Sequence, residues 1–78
     1  MVQLSSTASR DAAKADWRRI QHHLPDLLAD RQPAFVQTAT GADVHWGVRT
    51  GGFAGVAAAR EFCDTVKARG FGCFVTGS

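Results

Sequence analysis

The chain has no tyrosine, one methionine, two prolines and two cysteines in 78 residues, and no excess of charge of either sign. Nine Lys and Arg against seven Asp and Glu leave a formal charge of +2, spread along the chain. That argues against the clustered basic face of a nucleic-acid binder or of a surface that docks on anionic lipid. No run approaches the ~20 consecutive apolar residues of a membrane span, and the first residues lack the charged and apolar regions of a signal peptide. Direct membrane insertion of this segment is therefore not expected. Met1 abuts strand-like residues, so the sequence is expected to be a piece of a longer protein whose targeting segments lie elsewhere.

The two cysteines, Cys63 and Cys73, do not form a C-x-x-C and have no suitably spaced histidine, so no metal site is expected. Two readings remain for them, a disulfide across a helix-sheet interface or a pair of buried thiols, and the Cα separation decides between them. The chain also lacks G-x-S-x-G, H-E-x-x-H and G-x-x-x-x-G-K-[ST]. Its acids, among them Asp11, Asp16 and Asp64, fall on helix exteriors. No nucleophile is assembled with a base, so no catalytic residue, no cofactor and no enzymatic activity are expected.

What is present is a repeat. Val2-Gln3-Leu4, a small-residue turn through Ser9, then Ala12-Ala13-Lys14, Trp17 and Ile20 are echoed 46 positions later by Val48-Arg49-Thr50, Gly51 to Gly55, Ala58-Ala59-Arg60, Cys63 and Val66. Each copy reads as strand, turn and amphipathic helix, a unit that cannot bury its apolar face alone. Residues 2–6 alternate as a strand. Ser9 fits an N-cap, and Ala13, Trp17, Ile20 and Leu24 form the apolar stripe of a helix. Pro25 ends that helix and suits the first turn of a short new one, with Leu27 and Leu28 closing the end of the sheet. Residues 33–40 and 44–50 read as a hairpin of two strands joined through Gly41.

A second helix carries Ala59, Phe62, Cys63 and Val66 on one face, with Gly70 at its left-handed cap, and residues 71–76 close as a fourth strand. The order βαββαβ predicts an α+β domain, a four-stranded antiparallel sheet with two helices on one face. The other face of such a sheet is uncovered. Alternation turns Gln3 and Ser5 outward in the first strand, His45, Gly47 and Arg49 in the third, and Phe74 and Thr76 in the last. Trp46, Val48 and Thr50 then face the helices. Amide, hydroxyl, imidazole, guanidinium and aromatic groups on one shallow face, with Gly47 keeping its middle open, suit an extended polar ligand such as a sugar chain. A plain solvated sheet face has the same alternation. His22-His23 reads as solvated helix surface.

The segments Val48-Arg49-Thr50-Gly51-Gly52-Phe53-Ala54 and Lys67-Ala68-Arg69-Gly70 with Cys73-Phe74-Val75 resemble the second half of a SPOR (sporulation-related repeat) domain. Val2-Gln3-Leu4-Ser5-Ser6, Trp17 and Leu24-Pro25-Asp26-Leu27-Leu28 resemble the first half, so the likeness spans residues 1–78 as one domain. It implies a ferredoxin-like fold and a bacterial peptidoglycan-binding module, periplasmic at the division septum, that recognises glycan strands stripped of stem peptides. It also implies glycan-binding roles for Gln3, Ser6, His45, Arg49 and Phe74. Thr7 stands where the family usually has an aromatic residue, and His45 where a larger ring can occur. A protein-interaction or regulatory module of the same fold, meeting a cell-division partner, is the alternative. RNA binding by such a sheet needs two or three stacking rings on the central strands, which Gln3, Ser5, His45 and Arg49 do not supply.

Overall fold

The structure, a computed structural model, describes residues 1–76. Strand β1 (Val2–Thr7) leads into α1 (Arg10–His23) and a single-turn α2 (Pro25–Leu28). The hairpin β2 (Pro33–Thr40) and β3 (Asp43–Thr50) follows, then α3 (Val56–Ala68) and β4 (Phe74–Val75). The strands form one antiparallel sheet in the order β2-β3-β1-β4, the arrangement that a split βαβ pair gives when both halves share a sheet. This is the α+β, ferredoxin-like architecture that the element order predicts, with α2 as the additional short helix.

Local chemistry explains where each helix starts and stops. The Ser9 hydroxyl accepts the Ala12 amide at 3.1 Å, satisfying one of the free donors of the first turn of α1. Pro25, which has no amide hydrogen, ends α1 and opens α2. At the end of α3, Gly70 takes φ +88°, its amide donates to the Lys67 carbonyl at 2.9 Å, and the Phe71 amide reaches back to Val66 at 3.3 Å. This paired closure is a Schellman cap, and a side chain at Gly70 would be strained in that conformation. The last strand, Phe74–Val75, is shorter than the 71–76 expected, and Phe71, where that span begins, is committed to the helix end. Among the described residues the strand's ladder against β1 pairs Val75 with Val2 and Phe74 with Gln3.

The core lies between the sheet and the long helices. Ala13, Trp17, Ile20 and Leu24 from α1 and its cap, and Ala59, Phe62, Cys63 and Val66 from α3, are buried against Val2, Leu4 and Val48. Leu28 is fully buried, and Leu27 packs at the margin of the same cluster. Cys63 and Cys73 are joined by a disulfide, with Cα atoms 5.1 Å apart, which ties α3 to the approach to β4. Such a bond persists in oxidising compartments. At the end of the sheet opposite the hairpin turn, the Arg31 guanidinium lies 4.1 Å from the centre of the Phe53 ring and 4.7 Å from that of Phe62. Arg31 also donates to the Gly51 carbonyl at 2.8 Å, so its charge is spent on holding the Gly-rich loop.

One irregularity changes the reading of β1. Gln3 pairs with Arg49, but Ser5 pairs with Val48, so Leu4 is an extra residue on β1 and the strand carries a bulge. Ser5 therefore shares the helix side with the buried Val48. Alternation had turned it outward; the structure has its hydroxyl donating to Asp16 of α1. Asp16 is accordingly half-buried at the sheet-helix seam, not on the helix exterior.

Candidate functional site

The uncovered face is organised in rows, because residues opposite each other in adjacent antiparallel strands project to the same side. The first row crosses the sheet: Ala34 of β2, Arg49 of β3, Gln3 of β1 and Phe74 of β4. The second holds Val36, Gly47 and Ser6, and the third holds Thr38 and His45. The bulge at Leu4 turns Ser6 onto this face once Ser5 has been drawn to the helix side. Phe74 is 55% exposed, so its ring faces solvent beside Gln3.

Arg49 and Gln3, the residues matched by the internal repeat, touch. The Arg49 Nε–H donates to Gln3 Oε1 at 2.8 Å. The Gln3 amide lies over Gly47: a Cβ built there would stand 2.6 Å from Oε1 and 2.9 Å from Cδ of Gln3. Gly47 was expected to keep the middle of the face open. Instead it is the seat of the Gln3 side chain, and the glycine is buried beneath it. A glycine within a strand often marks such a close approach.

The five residues picked from sequence and resemblance therefore separate by distance. Gln3, Arg49 and Phe74 form one row, and Ser6 lies in the next. His45 stands four residues from Arg49 along β3, about 13 Å at the rise of a strand. All five fall on the open face. Thr7 does not: it pairs with Trp46 on the helix side, and its hydroxyl donates to the Ser9 carbonyl at 2.9 Å. Trp46 is partly buried against the core margin, as alternation predicts. Ala34, Val36 and Thr38 complete the face from β2. Sequence reading did not assign them, although their alternation in 33–40 was available once the hairpin register was known.

Chemically, the face offers donors more than acceptors. Gln3 Nε2 and both Nη groups of Arg49 have no partner among the described residues, and the Ser6 hydroxyl is exposed. Phe74 adds an apolar platform. The acids with shifted protonation lie elsewhere. Burial raises the Asp16 carboxyl, but hydrogen bonds from Ser5 and Arg19 and the Arg19 charge outweigh it and hold the group below the usual carboxylate range. On the exposed helix surface, the bidentate Arg69 contact at 2.7 and 2.6 Å holds Asp26 low. His22 and His23 are exposed on the helix surface, as expected, and their rings meet edge to face with centroids 5.7 Å apart.

The SPOR domain family model matches residues 1–77. The chain belongs to the SPOR domain family. No curated protein and no solved structure matches it. SPOR domains are peptidoglycan-binding modules of the cell envelope, linked to cell division, and this SPOR domain presents one sheet face on which no helix packs among the described residues. No helix among its described residues is long and apolar enough to cross a membrane.

Proposed function

We propose that residues 1–78 act as a single, non-catalytic domain that binds glycan strands lacking stem peptides and so directs the protein that carries it to septal cell wall in the periplasm. The observation that supports this reading best is the row Arg49, Gln3, Phe74, in which two hydrogen-bonding side chains already held together stand beside an exposed ring. Sugars have the matching chemistry: apolar C–H faces that stack on a ring, and hydroxyl and acetamido groups that accept from amide and guanidinium. The face is shallow, which suits an extended polymer more than a small enclosed ligand. Ser6 extends the contact along β1, and His45 meets the strand further towards the hairpin turn. The departure at Thr7 lies off the face and leaves the platform intact.

Cosedimentation with amidase-treated sacculi tests the proposal. The wild-type domain pellets with treated sacculi, and Phe74→Ala reduces the bound fraction severalfold without loss of fold, because the ring is largely in solvent. Absence of cosedimentation by the folded wild-type domain refutes the proposal. The interaction-module reading has one observation in its favour: the edge strand β2 has eight residues and no charged side chain, so its free backbone groups suit the addition of a strand from a cell-division partner. Sugar-independent capture of such a partner would favour it.

A further inference from the structure

Arg49 differs from Arg19 and Arg69 in what holds it. Arg19 is fixed by Asp16 at 2.7 Å and Arg69 by Asp26 at 2.6 Å, each through a carboxylate. Arg49 is half-buried, and the only hydrogen-bond partner of its side chain among the described residues is the neutral Gln3 amide. No carboxylate lies within ion-pair distance of it among those residues. The contact uses Nε, so the guanidinium is oriented while both Nη groups are left to donate. Paired Nη donors match the two oxygens of a carboxylate. Gln3 is itself fixed over Gly47, which gives the fork a defined direction before any ligand arrives.

The chemistry of such a glycan supplies an anion. In peptidoglycan every second sugar carries a lactyl group. With a stem peptide attached, the lactyl carbonyl is a neutral amide. Hydrolysis of that amide leaves a carboxylate, so a stripped strand carries one negative charge per disaccharide. On this face Phe74 lies two strands from Arg49, roughly 10 Å at the usual strand spacing. A strand running across the sheet then places a sugar on the ring, an acetamido oxygen near Gln3 Nε2 and a lactyl group at the Arg49 fork.

Resting on the glycan reading above, we propose that Arg49 is the specificity-determining residue of this face. Its Nη pair receives the lactyl carboxylate that removal of the stem peptide uncovers, so a stripped strand is told from an unstripped one by charge as well as by bulk.

The test compares three probes: stripped glycan oligomers, the same oligomers with their carboxylates converted to methylamides, and chitin oligomers, which have no lactyl group. Methylamidation restores the neutral amide without the bulk of a peptide. For the wild-type domain, affinity for the methylamide and for the chitin oligomer is expected to be about tenfold below that for the free acid, the effect of losing one charge-assisted pair. Arg49→Gln is expected to bind acid and methylamide equally, and Arg49→Lys to keep part of the preference. Circular dichroism of each variant establishes that it is folded. Equal wild-type affinity for acid and methylamide overturns the assignment of Arg49 while leaving the glycan reading standing. Failure of the folded wild-type domain to bind any of the three overturns both.

Discussion

Replacing Gly47 with alanine probes the open face with little disturbance beneath it. The new Cβ would stand 2.6 Å from Oε1 of Gln3 and 2.9 Å from its Cδ, inside van der Waals contact, so the Gln3 amide must leave its seat. What gives way is the far end of a flexible side chain and not backbone. The cost is the Arg49 to Gln3 hydrogen bond, of order 1–1.5 kcal/mol for a half-exposed contact to a charged group. Against it, alanine in a strand is favoured over glycine by roughly 0.5–1 kcal/mol, and Gly47 does not have a positive φ that would penalise the change. Net stability should shift by less than about 1 kcal/mol, or no more than about 8 °C in Tm for a domain of this size. Binding should not be spared, because Gln3 and Arg49 lose their shared orientation; glycan affinity is expected to fall about tenfold or more. Thermal denaturation and glycan titration on one preparation measure both. A folded Gly47→Ala domain with unchanged affinity would refute the role of the seated amide. Collapse of the fold would refute the argument that the clash is confined to one side chain.

The disulfide closes a loop with a sequence separation of 10, and the loop-entropy relation gives about 3 kcal/mol for its removal. Urea unfolding of the Cys63→Ser, Cys73→Ser variant should show that loss, and adding reductant to the wild-type domain should approach the same midpoint; a midpoint unchanged by both would contradict it. Asp16 gives an acid-side prediction. Its carboxyl lies below its unfolded-state value, so its contribution is complete above about pH 4 and is lost as pH falls through the folded value. Asp16→Asn should therefore flatten the decline of stability in acid, and a profile parallel to wild type would show that the Ser5 and Arg19 contacts do not stabilise the charged form.

Much of the scaffold could be read from periodicity. The spacing of Ala13, Trp17, Ile20 and Leu24 marked the buried stripe of α1, Ser9 and Gly70 marked helix ends through their capping chemistry, and Ala59, Phe62, Cys63 and Val66 marked the inner face of α3. These are local signals, set by backbone geometry within a few residues. The repeat that matched Gln3 with Arg49 also located the pair that meets on the open face. Other features had no local trace. The bulge that sends Ser5 to Asp16 and Ser6 outward depends on pairing with β3, 40 residues away, and strict alternation fails there. The late start of β4 likewise has no local trace, since Phe71 is taken up by the end of α3.

The sequence by itself determined the order of elements, the apolar faces that must meet and the polar composition of the face left over, because each follows from side-chain period and capping. Only the tertiary structure decided that Gly47 is occupied by the Gln3 amide, that the Arg49 fork has no partner among the described residues and that the two cysteines lie close enough to bond. Those outcomes depend on register and on distances between residues far apart in the chain. A shift of one residue in a strand reverses every side chain after it, and no periodicity within a single segment records where such a shift occurs.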